Sequence, residues 1–391
     1  MTSRRPEVAD VLRNFATAYS EAYHASSCQA RVLSQLPLCR TASLGGHKLR
    51  CDSCGHEQIS YNSCRNRHCP RCQAAARAEW LADRERELLD VPDFHVVFTL
   101  PDELAAIALQ NKRLCYGLLF RAAARTLRTI AADPKHLGAQ IGFLAVLHTW
   151  SQNLLHHPHV HCVVPGGGIS PDRERWIACR ANFFLPVRVL SRLFRRLYVQ
   201  GLQDAFAKGD VELHGRLEEL RQASAWTRTL AQVRRKEWVV YAKPPFGGPV
   251  QVLKYLARYT HRVAISNRRI VAVDDERVSF RWKDRSSDSG SRTMTLAGVE
   301  FVRRFLLHVL PKGFVRIRHF GFLANRSRKE KIPLARRLIG QQESHSQPPP
   351  SSTHSPVDSP ASPNRCPNCQ VGRLVVVQEL LPGHPMLFDT S

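Results

Sequence analysis

Apolar positions recur at helical spacing through Val11, Leu12, Phe15, Ala18, Tyr19 and Ala22, and the pattern predicts helix over 8–38. Longer periodic stretches predict helices at 76–90, 102–132, 186–208 and 250–260. Short apolar or alternating runs predict strands at 94–100, 141–149, 159–165, 236–242, 270–274 and 277–283. Residues 45–75 break this pattern: they are poor in apolar positions and dense in Cys, His and Arg, which predicts a module organised by metal. From 341 to 365, Gln, Ser, Pro and His dominate, too little apolar surface to offset the cost of ordering, so a disordered linker is expected. The chain therefore divides into a helical and Cys-rich zinc-binding domain (8–90), a mixed strand and helix block (91–340), the linker (341–365) and a short tail (366–391) that opens with Cys366-Pro-Asn-Cys369.

No apolar run approaches the ~20 residues of a membrane span, and no apolar stretch follows the first residues, so neither a membrane segment nor a secretory signal is expected. The expected compartment is the cytoplasm, where cysteines stay reduced and serve as metal thiolates. Lys and Arg number 57 against 33 Asp and Glu, a formal charge of +24. The excess recurs at Arg192–Arg196, Arg234–Lys236, Arg262–Arg269, Arg303–Arg304 and Arg316–His319 instead of filling one tail. Such a distribution suits an extended surface that follows a polyphosphate.

Three motifs carry chemistry. Cys51-Asp-Ser-Cys54 and Cys69-Pro-Arg-Cys72 are two knuckles separated by residues 55–68. Each can give two thiolates to one ion, so Cys51, Cys54, Cys69 and Cys72 are the expected shell of one structural Zn²⁺. Cys64 and His68 inside the loop, with His47 and His56 beside it, are substitute ligands or parts of a second site. The tail knuckle Cys366/Cys369 reads as half of a second zinc site or as an inactive remnant. His159-Val160-His161 puts two imidazoles on one face of a strand, half of a site for a divalent cation. His148, on the segment before, is a candidate third ligand or a core histidine, with Gln152 and His157 as alternatives. Finally, Lys254-Tyr255-Leu256-Ala257-Arg258-Tyr259 sets two phenols at i and i+4 on one helical face. Lys254, Arg258, His261 and Arg262 around them suit a phosphate better than a core, so Tyr255 and Tyr259 are candidate nucleophiles, with Lys254, Arg258 and Arg262 as DNA contacts.

The segments Cys51–Cys72, Phe94–Pro101, His148–Gly168, Tyr255–Asn267 and Arg316–Arg326, in this order, resemble the two-tyrosine rolling-circle (HUH) transposases of bacterial insertion sequences. The match spans residues 15–335. The resemblance implies an α+β fold, an antiparallel sheet flanked by helices and related to the RNA-recognition-motif core, beside the zinc module. It also implies cleavage and rejoining of single-stranded DNA at the element's ends and target through a 5′-phosphotyrosine, with Mg²⁺ or Mn²⁺ as the working ion. Two readings stand beside it: a catalytically inactive zinc-containing DNA-binding regulator, and a rolling-circle replication initiator.

Overall fold

The computed structural model describes residues 5–73, 87–243, 264–283, 290–343 and 365–383. In chain order these form helices α1 (Val8–Ala22) and α2 (Ser27–Gln35), strands β1 (Gly46–Cys51), β2 (Glu57–Tyr61) and β3 (Asp93–Thr99), and helices α3 (Ala105–Gln110) and α4 (Lys112–Ala132). Strands β4 (Gly142–Trp150), β5 (His156–Pro165), β6 (Gly167–Ile169) and β7 (Trp176–Ala178) follow, then α5 (Val187–Ala207), α6 (Ala223–Arg235) and β8 (Val240–Lys243). The chain continues with β9 (Ile270–Val273), β10 (Arg277–Trp282), β11 (Arg292–Ala297), α7 (Gly298–Leu307), β12 (Ile317–Gly321), α8 (Arg328–Glu343) and β13 (Leu374–Leu380). The class is α+β, with antiparallel sheets flanked by helices.

The central sheet has the order β12-β4-β5-β3-β8, every neighbour antiparallel. Alternation along its strands separates two faces. Phe94, Val96, Phe98, Phe143, Ala145, Leu147, Val160, Cys162 and Val164 all turn to one side, where they join Leu119, Phe120, Leu127, Phe194 and Tyr198 of α4 and α5 in the main core. The ladder places His95, His148, His159, His161 and His319 on the opposite side. Burying one face against two helices thus fixes the register that gathers imidazoles on the other; a slip of one residue would exchange the faces.

The chain forms two compact units, and both are assembled from separated stretches of sequence. Residues 1–75, 265–303 and 349–391 make one, and 76–264 with 304–348 the other. This interleaving differs from the linear division expected from composition, because residues 265–303 and the tail pack with the N-terminal segment. In the first unit, β1 and β2 build a sheet with β13 in the order β13-β1-β2, and a second sheet runs β11-β10-β9. Phe15 of α1 lies against Gly298, where a Cβ would approach its ring to 2.2 Å.

Several boundaries differ from the sequence expectation for local reasons. The helix expected over 8–38 breaks at Tyr23–Ser26, because Ser26 and Gln29 form a capping box that starts a new helix. That over 102–132 breaks at Asn111, whose side chain is drawn to Glu212 through two backbone hydrogen bonds. The strand expected over 236–242 starts only at Val240, since the Trp238 indole turns into the core and donates to the Val233 carbonyl. Of the expected linker, residues 341–343 continue α8. Residues 344–364, most of the expected helix 76–90 and the expected helix 250–260 lie outside the described residues.

Candidate metal centres

His159 and His161 stand on β5 with Val160 between them fully buried on the helix side. His148 on β4 is the direct cross-strand partner of His159. One ring nitrogen from each of the three lies within 4.8 Å of the others. Trp150, two residues along the same strand face, stacks on the His148 ring at 4.6 Å and limits its rotation. His157 turns away to Asp102, 3.4 Å distant, and Gln152 is exposed beyond the end of β4, so of the three candidates for a third ligand only His148 joins the pair in the cluster.

Hydrogen bonds select the tautomers. His159 Nδ1 donates to the His157 carbonyl at 2.6 Å, which presents Nε2 as the lone-pair donor for a cation. His161 Nδ1 meets His95 Nε2 at 2.7 Å in the interior, so Nε2 is again the nitrogen that serves the cluster. Burial disfavours the imidazolium form: it pushes His95 and His159 down to about 4 and His161 well below its usual range. Neighbouring histidines push His161 further, and Lys243 does the same to His95. Two neutral imidazoles with preset tautomers, His159 and His161, and the His148 ring beside them fit a divalent cation.

Nothing in the sequence singles out His95. One histidine in an apolar strand resembles ordinary core; its role follows only from β3 lying beside β5. The glycines of Gly166-Gly167-Gly168 also have a structural account: a Cβ at Gly167 would meet the Trp176 indole at 2.5 Å, and one at Gly168 the Gln140 carbonyl at 2.8 Å. They permit close packing around β6 and β7.

The cysteines depart from the expected single shell. Cys69 and Cys72 join Cys39 and Cys64, while Cys51 and Cys54 join Cys366 and Cys369. Adjacent knuckles in sequence do not meet because the first lies at the end of β1, against the strand β13, whereas the second follows the turn at 66–69 toward Cys39. In the first cluster, sulfurs of Cys39 and Cys72, Cys64 and Cys72, and Cys69 and Cys39 are 3.6, 3.6 and 3.5 Å apart. Edges of a tetrahedral zinc–thiolate shell with bonds of ~2.3 Å are about 3.8 Å, so this spacing suits Zn²⁺. Arg71 pairs with Glu7 at the start of α1 beside it, at 2.6 Å.

Tyr255, Tyr259, Lys254, Arg258 and Arg262 lie outside the described residues. Among the other basic clusters, some charge is structural. Arg303 pairs with Glu300, and Arg318 stacks over the Phe120 ring at 4.3 Å on the helix side of the sheet. Arg192 and Arg196 on α5, and Arg234 and Arg235 on α6, are exposed. No helix among the described residues is long and apolar enough to cross a membrane.

Two family models match: one described as "Transposase zinc-binding domain" over residues 11–100, and one described as "Putative transposase" over residues 142–331. The "Putative transposase y4qJ" of Sinorhizobium fredii is 56% identical over 403 residues, covering 100% of both chains. The "Transposase for insertion sequence element IS801" of Pseudomonas savastanoi pv. phaseolicola is 28% identical over 311 residues, 78% of this chain and 72% of that one. Among solved structures, the metal-bound conjugative relaxase TrwC in complex with oriT DNA aligns with a TM-score of 0.25 at 13% identity, over 44% of this chain and 71% of that one. The protein is a DNA transposase, an enzyme of DNA cleavage and strand transfer. It belongs to the rolling-circle HUH transposases of insertion sequences that carry an N-terminal zinc-binding domain.

Proposed function

We propose that the chain cleaves and rejoins single-stranded DNA at the ends of its insertion sequence and at the target, with His148, His159 and His161 holding a divalent cation and Tyr255 and Tyr259 as nucleophiles. The observation that carries this reading is the three-histidine cluster, with ligand nitrogens within 4.8 Å of one another on the sheet face opposite the core helices. A bound cation would polarise the scissile phosphate and neutralise charge that develops during attack. The part of His159 and His161 is to stay neutral and offer Nε2 to that cation.

Attack by a tyrosine oxygen on the scissile phosphorus joins the tyrosine to the 5′ phosphate of the downstream fragment and releases the 3′ hydroxyl of the upstream one. The phenolic proton is lost to solvent or a neighbouring base, and the leaving oxygen takes one up. The reverse attack by a hydroxyl rejoins strands without a nucleotide cofactor, since the phosphodiester energy is kept in the linkage. Two tyrosines four positions apart in sequence would supply two successive cleavages, as moving a strand from donor to target demands. Lys254, Arg258 and Arg262 are proposed to hold the flanking phosphates, and the +24 charge of the chain supports a phosphate-dominated grip on DNA. Of Mg²⁺ and Mn²⁺, nitrogen donors favour Mn²⁺, because Mg²⁺ prefers an all-oxygen shell.

The test is nicking of a labelled single-stranded end sequence. His161→Ala is expected to abolish nicking while DNA binding stays near that of the unaltered protein. Full nicking by His161→Ala, or by the unaltered protein in excess chelator, would refute the reading.

A further inference from the structure

We propose that Cys51, Cys54, Cys366 and Cys369 bind a second structural zinc, separate from the ion at Cys39, Cys64, Cys69 and Cys72, and that this zinc clasps the C-terminal strand β13 onto the N-terminal module. The four sulfurs lie within 4.8 Å of one another. Cys51 and Cys369 are 3.7 Å apart, as are Cys54 and Cys366. That matches the tetrahedral edge of about 3.8 Å for a zinc–thiolate shell and is far from the ~2.05 Å of a disulfide.

The two knuckles are built alike. Each places its second cysteine just before a residue in the left-handed region, Gly55 at φ 72° and Gln370 at φ 56°. In each, the chain folds back on its first cysteine: the Gly55 amide donates to the Cys51 carbonyl at 3.1 Å and the Gln370 amide to the Cys366 carbonyl at 3.0 Å. Backbone amides also point at the sulfurs: Ser53 N–H at Cys51 (3.4 Å) and Gly372 N–H at Cys369 (3.4 Å). Such donors stabilise a thiolate when the sulfur serves as a metal ligand.

The tail is moulded to the first knuckle. A Cβ at Gly372 would stand 2.5 Å from Cys51 Sγ, so only glycine lets the tail turn pass. Arg373 N–H donates to the Asp52 carboxylate at 2.7 Å, and Asp52 N–H to the Arg373 carbonyl at 3.0 Å. From there β13 runs antiparallel along β1, Cys51 opposite Leu374 and Gly46 opposite Leu380. Cys54 and Cys366 are 312 positions apart, so the metal closes a very long loop. Closing a loop of that span carries a chain-entropy cost that the metal bonds must offset, and the site can form only after Cys366 and Cys369 have been synthesised. The clasp does not depend on the chemistry at the histidine face.

The experiment is zinc analysis of the full-length protein by elemental mass spectrometry. The expected content is two zincs per chain, falling to one in Cys366→Ser/Cys369→Ser and also to one in Cys39→Ser/Cys64→Ser. In the first double variant trypsin is expected to cut after Arg373, a bond protected in the unaltered protein. Gly372→Ala keeps all eight thiols and guards against a misfolded cysteine variant; it should lose one of its two zincs to chelator about tenfold faster. Cadmium-113 NMR of the unaltered protein should show two all-thiolate signals. One zinc in the unaltered protein, a single such signal, or unchanged zinc content in Cys366→Ser/Cys369→Ser would overturn the proposal.

Discussion

His95 Nε2 lies 2.7 Å from His161 Nδ1, and the two rings are coplanar to within 2°. For His161 to offer a lone pair at Nε2, its proton must sit on Nδ1 and be donated to His95. If His161 holds the proposed cation, His95 acts as a positioning residue that orients it from the neighbouring strand. His95→Ala should weaken Mn²⁺ activation of nicking by about 10–100-fold. His95→Gln, whose amide oxygen can accept the same proton, should recover most of that loss. Equal defects in both variants would mean that His95 serves packing alone.

The donor set also ranks the ions. Three imidazole nitrogens suit first-row transition ions better than Mg²⁺. Mn²⁺ should half-activate nicking at a concentration at least about tenfold below that of Mg²⁺. The check is a metal titration of initial nicking rate; a lower requirement for Mg²⁺ would point to oxygen ligands in place of the histidines.

Buried neutral histidines make the fold acid-sensitive. Burial brings His95, His156 and His159 to about 4 from an ordinary value near 6.5. Between these values the unfolded chain binds protons that the native protein does not, so stability is fully present above pH 6.5 and is lost as pH falls toward 4. Each such group contributes a slope of up to about 1.4 kcal/mol per pH unit. Denaturant midpoints of the metal-free protein at pH 7, 6, 5 and 4 should fall steeply across that window. A flat profile would show that the histidines are solvated.

Legibility in the sequence followed the kind of signal available. Strands rich in Phe and Val were plain: the run at 94–100 becomes Asp93–Thr99, and 141–149 becomes Gly142–Trp150. The strands β1 and β2 were not, because they are short, part-exposed and rich in Lys, Arg, Glu and Gln; β13 carries a Val run, but its five middle positions are exposed and its partner β1 is remote in sequence. His159 and His161 could be read as a pair because they share one strand, whereas His95 acts through a register that only the sheet order supplies. The cysteine grouping failed for a similar reason: sequence proximity favoured joining Cys51/Cys54 to Cys69/Cys72, while tertiary pairing joined each to distant partners. Cys64, Cys366 and Cys369 are legible as candidates for a second site, whereas Cys39, a lone cysteine without a motif, is not.

The opposite sheet face gives a stability prediction. Phe98 is fully buried and packs on the Phe194 ring at a centroid distance of 4.9 Å. Phe98→Ala should cost about 3–5 kcal/mol in unfolding free energy. Tyr241→Ala, at a side chain 46% exposed on the histidine side, should cost under about 1 kcal/mol. Comparable losses in the two variants would contradict the assignment of Phe98 to the core face.

The central claim is that a tyrosine becomes covalently joined to DNA at the histidine-held cation. A phenol with a pKa near 10 is a weak nucleophile at neutral pH, so adduct formation demands the assembled site and not an exposed tyrosine alone. Tyr→Phe keeps the ring and removes only the attacking oxygen. The direct measurement is a denaturing gel of protein incubated with Mn²⁺ and labelled single-stranded end DNA, read for a protein–DNA band that survives boiling in detergent. The unaltered protein should give the band, and Tyr255→Phe/Tyr259→Phe should give none while still binding DNA. A band from the double variant, or none from unaltered protein that binds the DNA with its cation present, would contradict the account.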